Sequence, residues 1–172
     1  RKSLESQICQ HLICSPIKKT RLEWMIEKVT ELGVSSVTLL AMARTESQDI
    51  SMLRLEKIMQ GAISQSEQYR GVSIQLSQNI AKVQRQIAKT RGVCFVAHPE
   101  GSMLWSWQQN NQTMMSQLTD IWWVIGPEGG LSTQDLSLWQ KHPLIALAPT
   151  LLRTETAAIS AVSQGLLLTG KK

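Results

Sequence analysis

The stretch WWVIGPEGGLS, Trp122 to Ser132, runs an apolar strand straight into a turn with three glycines, a proline and one carboxylate. A continuous apolar run of this kind reads as a strand covered on both faces, as in a parallel sheet. The turn lacks the long glycine spacing and the following Lys-Ser/Thr of a phosphate-binding P-loop. It also lacks the G-x-G-x-x-G and the later ribose-binding acid of a dinucleotide fold. Gly126, Gly129 and Gly130 are expected to supply positive φ in a tight turn. With Pro127 stiffening the loop and glycines on both sides of Glu128, the loop is shaped for a ligand that approaches main chain. Ser132 and Asp135 then form an S-x-x-D helix start, with Leu136 and Trp139 facing inward.

The rest of the chain repeats this strand-to-helix rhythm. Thr20 and Glu23 read as a capping box for a helix carrying Leu22, Met25, Ile26, Val29 and Leu32 up to Gly33. Val34 to Met42 is a β-branched, apolar strand candidate, followed by a polar loop. Leu55, Ile58, Met59, Ala62 and Ile63 mark a second amphipathic helix ending near SEQYRG, Ser66 to Gly71. A short strand at Val72 to Leu76 and a helix through Ile80, Val83 and Ile87 come next. Val93 to Ala97 is a buried strand entering a His-Pro turn, and the Gln/Asn-rich SWQQNNQTMMSQ is expected to be a surface loop. Leu144 to Leu147 is the last strand, before a loop through Arg153 and a helix carrying Ala157, Ala158, Ile159, Val162 and Leu166. The predicted fold is a single α/β domain, a mainly parallel sheet with helices on both faces. Ligands in such sheets gather outside the carboxyl ends of the strands, where HPEG, GPEGG and APTLLRTET fall.

Bulk composition narrows the function. The 172 residues, 42% hydrophobic, suffice for one buried core, and the net charge of +5 biases the chain modestly toward polyanionic partners. Cys9, Cys14 and Cys94 are odd in number and unevenly spaced, which predicts neither disulfides nor zinc. No metal site and no membrane-spanning run are expected, and a cytoplasmic location fits the free thiols.

LLRTETAA, Leu151 to Ala158, places a cation, a carboxylate and two hydroxyls before an alanine-rich helix. Thr154 or Thr156 is expected to cap that helix, with Glu155 in its first turn. Arg153 stands just outside, free to pair with Glu128, to meet an RNA phosphate or to face a developing negative charge. Among the six tryptophans, Trp24, Trp122, Trp123 and Trp139 read as packing residues, and Trp105 and Trp107 as candidates for stacking on bases. His98 reads as a turn residue and His142 as incidental.

Three segments in order, RLEWMIEKVTELGVSSVTLL (Arg21 to Leu40), IGPEGGLS (Ile125 to Ser132) and LLRTETAA, resemble the ribosomal RNA small-subunit methyltransferase E family. These are uridine-N3 methyltransferases of the SPOUT superfamily acting on 16S rRNA, and SEQYRG is similar to their Glu-Gln-Ser-x-Arg segment. The resemblance implies a deep C-terminal trefoil knot, S-adenosylmethionine as methyl donor, a homodimer, and residues 18–172 as the SPOUT domain. Residues 1–17 would be the stub of an N-terminal PUA-like RNA-binding barrel. It further implies a cofactor site at Leu39 and Leu40, Ala97, His98, Pro99 and Gly101, Ile125, Gly126, Pro127, Glu128, Gly129 and Gly130, and Leu147, Ala148, Leu151, Leu152, Thr156 and Ala157. Arg153 would stabilise the uridine anion, Glu128 would orient Arg153 or receive the N3 proton, and Arg70 would contact RNA.

Two positions depart from the family pattern: Ala148 and Thr150 stand where it usually has a glycine and a second arginine. The competing expectations are methylation of another RNA position or of a ribose 2′-hydroxyl, and a non-catalytic RNA-binding or ribosome-assembly protein with the same knot. An unrelated nucleotide-binding module would instead bind ATP or NAD.

Overall fold

A computed structural model describes residues 8–46 and 48–168. Six strands form one sheet in the order β3-β2-β1-β5-β4-β6, and every paired neighbour runs parallel. The strands are β1 (Cys9–Cys14), β2 (Ser36–Leu40), β3 (Ser73–Ser77), β4 (Gly92–Met103), β5 (Asp120–Ile125) and β6 (Leu144–Ala146). The helices are α1 (Lys19–Glu31), α2 (Met52–Gln65), α3 (Ile80–Ile87), α4 (Leu104–Asn110), α5 (Gln112–Met115), α6 (Thr133–Trp139) and α7 (Thr154–Leu168).

Side-chain alternation along the central strands builds a core on each face. Leu12, Cys14, Phe95, Ile121, Trp123 and Ile125 point toward α1, α2 and α7, where Met25, Ile26, Val29, Met59, Ala158 and Val162 meet them. Ile13, Cys94, Val96, Trp122 and Val124 point the other way, onto Val83 and Ile87 of α3 and Trp139 of α6. From β6 at the sheet edge, the chain returns to lay α7 across β5 and β1.

Several expectations are corrected. Cys9–Cys14, for which no strand was expected, is β1, a central strand between β2 and β5. Its polar His11 is partnered inside the sheet, as is Gln10 through its carbonyl oxygen, while Gln10 Nε2 is buried with no partner among the described residues. The Trp123 indole N–H donates to Gln10 Oε1 at 3.2 Å, and the His11 ring lies between Ser36 and Asp120. The Thr20–Glu23 capping box does not form: Lys18 is the N-cap and makes no side-chain cap, and Thr20 already lies inside α1. The Gln/Asn-rich stretch is helical, as α4 and α5, because Leu104 is buried and Trp107 packs edge-on against Phe95, with ring centroids 4.7 Å apart. Trp107 therefore belongs to the core, while Trp24, expected to pack inward, is 47% exposed. The strand begun at Val93 does not stop at the His-Pro turn. Ala97 and Ser102 both pair with Ile145, so the intervening residues bulge outward.

Candidate active site

At the carboxyl ends of β4, β5 and β6 the loops surround a cleft of about 680 Å³, within the range of sites that hold a ligand the size of a nucleoside derivative. Each loop is shaped by a local feature. A Cβ on Gly101 would lie 2.5 Å from the main chain of Leu144 and Ile145, so only glycine lets the β4 bulge close onto β6. In the GPEGG loop only Gly130 has positive φ, at 71°. Gly126 is needed for space instead, since a Cβ there would meet Leu131 Cγ at 2.9 Å, and Gly129 has room for a side chain. The Gly130 N–H closes the turn on the Pro127 carbonyl at 2.8 Å.

Behind this turn, Ser132 and Asp135 form the expected reciprocal cap of α6. Asp135 also accepts the Ala43 N–H at 3.2 Å, and Arg44 Nη1 donates to the Gly129 carbonyl at 2.8 Å, so the β2–α2 connection braces the loop. Burial opposes ionisation of Asp135. The hydrogen bonds from Ser132 and Ala43, with the nearby Arg44 charge, outweigh it and lower the pKa.

The third loop is fixed by α7. The Arg153 carbonyl accepts the Ala157 N–H at 2.8 Å, and Thr154 lies in the helix and donates its hydroxyl to the Gly126 carbonyl at 3.2 Å. Neither Thr154 nor Thr156 caps α7 as expected; Thr154 ties the helix to the glycine loop. Arg153 is exposed and lines the cleft, and its guanidinium has no hydrogen bond or ion pair among the described residues. Glu128 also lines the cleft, but its partner is Arg21 of α1 rather than Arg153.

The cleft brings together most of the expected cofactor residues: Ala97, His98, Pro99, Ile125, Gly126, Pro127, Glu128, Gly129, Gly130, Leu147, Ala148, Leu151, Leu152 and Ala157. Leu39 and Leu40 are buried in β2 and do not reach it, nor do Gly101 and Thr156. His98, expected in a turn, lies in the bulge of β4 and accepts the Glu100 N–H through Nδ1 at 3.3 Å. Arg70 lies at the other end of the sheet, with Nη1 3.9 Å from Cys9 Sγ at the start of β1, so it is not assembled with Arg153 and Glu128. Sequence reasoning placed Glu100 and Thr150 within the cofactor loops and missed Arg21, Arg44, Leu131 and Thr154 as wall residues. A polar side chain in the first turn of α1 or just after β2 was the available signal.

The wall fits an adenosine-bearing ligand: Gly126, Gly129 and Gly130 have only main chain to present, Leu147, Leu152 and Ala157 give an apolar side, and Ala148 is among the lining residues. Cysteine chemistry is absent from this end of the sheet, because burial pushes the Cys14 thiol up to about 12 and raises that of Cys94 as well. Among the described residues no group of three His, Cys, Asp or Glu could hold a metal, and no helix is long and apolar enough to cross a membrane.

This sheet and its cleft have the fold of solved methyltransferases. A SpoU methyltransferase from Streptomyces viridochromogenes superposes with a TM-score of 0.60 over 95% of this chain and 60% of its own, at 13% identity. The chain belongs to the RNA methyltransferase domain family, whose model matches residues 4–165. A putative methyltransferase from Legionella pneumophila, solved with bound SAM, is 30% identical, with a TM-score of 0.78 over 97% of this chain and 68% of its own. Ribosomal RNA small subunit methyltransferase E of Rickettsia conorii is 27% identical over 88% of this chain and 62% of its own length. The enzyme 2 of that name from Borreliella burgdorferi is 25% identical, over 88% and 63%. The chain thus spans about six-tenths of the length of these curated relatives.

Proposed function

We propose that this chain carries S-adenosylmethionine-dependent methylation of N3 of a uridine in 16S rRNA of the small subunit. The observation that carries the reading is the cleft itself: a glycine-rich, main-chain wall beside an unpartnered arginine, in a chain related to the methyltransferase E proteins. When bound, the cofactor supplies a methyl group on a good leaving group. The chain must then align the uracil and favour loss of its N3 proton. Main-chain groups of Ile125 to Gly130 and Leu147 to Leu152 hold the adenosine. Arg153 stabilises negative charge on the uracil oxygens, since its donors are committed to no other group. Glu128 stands on the same wall to accept or orient the proton. Arg70 serves RNA at the opposite edge, apart from the chemistry. The return of the chain from β6 to α7 supports the implied knot; a homodimer and a cytoplasmic location complete the reading.

Calorimetric titration with S-adenosylmethionine, followed by nucleoside analysis of 16S rRNA incubated with the protein, tests it. Saturable binding and appearance of 3-methyluridine are expected. Methylation at a ribose hydroxyl or at another base would replace the assigned reaction. Folded protein that binds RNA but no cofactor would leave the non-catalytic reading.

A further inference from the structure

Glu155, in the first turn of α7, is a buried carboxylate whose side chain is 8% exposed. Its Oε2 has no hydrogen-bond partner, although a charged oxygen in that setting calls for one. The nearest cation is Arg21, with Nε 3.9 Å from Glu155 Oε1. The same guanidinium donates through Nη1 to Glu128 on the cleft wall. An arginine presents donors along two edges of one plane, so a single residue from α1 serves two carboxylates, one from the glycine loop and one from the first turn of α7. The Arg21–Glu128 pair is about one-third exposed on each side, where ion pairs are weak and exchange easily. In the contact with Glu155 the carboxylate side is buried, so that pair is less screened.

We propose that Arg21 is a positioning residue of the cleft, held from behind by Glu155, which pins Glu128 to the wall and balances its charge before a cationic ligand arrives. This rests on the methyltransferase reading in one respect: the cationic ligand is the sulfonium of S-adenosylmethionine. Its product, S-adenosylhomocysteine, has the same adenosine and amino-acid parts around a neutral sulfur. The two ligands therefore report the charge that the wall shows to the sulfur. With Arg21 present, the negative charge of Glu128 is largely compensated; without it, the carboxylate is uncovered and the sulfonium form gains.

The test is calorimetry of both ligands on wild-type, Arg21→Met, Glu128→Gln and double-variant protein, with thermal melts of Arg21→Met, Glu155→Gln and their combination. In Arg21→Met the preference for S-adenosylmethionine over S-adenosylhomocysteine should rise about 2- to 5-fold. Against a Glu128→Gln background the same replacement should leave the ratio unchanged. An unchanged ratio in folded Arg21→Met overturns the proposal. The melts need no ligand: Tm shifts that fail to add uphold the link between Arg21 and Glu155, and additive shifts overturn it. If neither ligand binds folded wild-type protein, the cofactor reading fails and the melts alone decide Arg21. Should Arg21→Met not fold, Arg21→Lys replaces it, with a wild-type ligand ratio and loss of the Glu155 coupling as the expected results and any other pair of results overturning the proposal.

Discussion

The two ends of the sheet treat their polar groups in opposite ways. At the amino end, His11 of β1 is flanked by its strand neighbours: Nδ1 meets Ser36 Oγ at 2.7 Å and Nε2 meets Asp120 Oδ1 at 2.9 Å. The ring also stacks on Trp122, with centroids 4.1 Å apart and planes 20° from parallel. Three strands are thereby stitched by side chains whose hydrogen-bonding atoms face one another. At the carboxyl end, the Arg153 guanidinium has no partner among the described residues, three glycines line a cleft, and Glu128 is held by a partly exposed ion pair. Polar groups satisfied by their own fold contribute stability, whereas those left open are available to a ligand. The same sheet thus separates its fastening from its chemistry by the length of a strand.

Replacing Arg153 with alanine is expected to break the carboxyl end without touching the amino end. Uridine methylation should fall by roughly 100- to 1000-fold, the usual loss when a donor to a developing anion is removed. Tm should stay within about 2 °C of wild type, because the guanidinium stabilises nothing else in the fold. Rate assays on 16S rRNA beside a thermal melt read both quantities. Methylation at the wild-type rate by folded, cofactor-bound variant would remove Arg153 from the reaction.

His11→Ala is the converse. It leaves Asp120 and Ser36 without the ring between them and should cost about 1–3 kcal/mol in chemical denaturation. The Kd for S-adenosylmethionine should not change, since no part of His11 lines the cleft. A loss of cofactor affinity in a well-folded His11→Ala protein would mean that the two ends are coupled and that the separation is false. A smaller effect, confined to the cleft, is expected of Gly129→Leu. A Cβ at Gly129 sits 3.5 Å from the Arg44 side chain, so the fold accepts it, and the longer branch should weaken cofactor binding about tenfold, or ~1.4 kcal/mol. Equal affinity would place the ligand away from the glycine loop.

The sequence was most legible where chemistry is local. The apolar runs of β4 and β5, the S-x-x-D cap of α6 and the GPEGG turn all follow from neighbours within a few residues. β1 was illegible because CQHLIC places Gln10 and His11 inside a strand, and their partners Trp123 and Asp120 stand more than 100 residues away. α4 and α5 were hidden by a Gln/Asn-rich composition, although α4 is held by Trp107 packing edge-on against Phe95 of the preceding strand. Trp24, read from its spacing as a packing residue, stands off the Leu22, Met25, Ile26, Val29 stripe of α1 and is exposed. Within the cleft, the loops could be read but their ion pairs could not. Glu128 and Arg153 face the same space, yet the carboxylate is taken by Arg21, 107 residues earlier.

The smallest effect concerns what keeps the open end in shape. Asp135 receives the N–H and hydroxyl of Ser132 on one oxygen and the Ala43 N–H on the other, joining the start of α6 to the segment after β2. An amide at this position offers one acceptor oxygen and an unwanted NH₂, so Asp135→Asn should lose about 0.5–1.5 kcal/mol near neutral pH. The direction of the pH dependence follows from the pKa. The folded state holds the Asp135 carboxyl below its ordinary value of 3.8, so the unfolded chain takes up the proton first. Its stabilisation is fully present above that ordinary value and is lost as pH falls through the folded pKa. Denaturation curves of wild-type and Asp135→Asn protein should therefore differ most at neutral pH and converge in acid. A gap that persists in acid would show that the asparagine costs packing rather than charge, and that the glycine loop is braced by Arg44 alone.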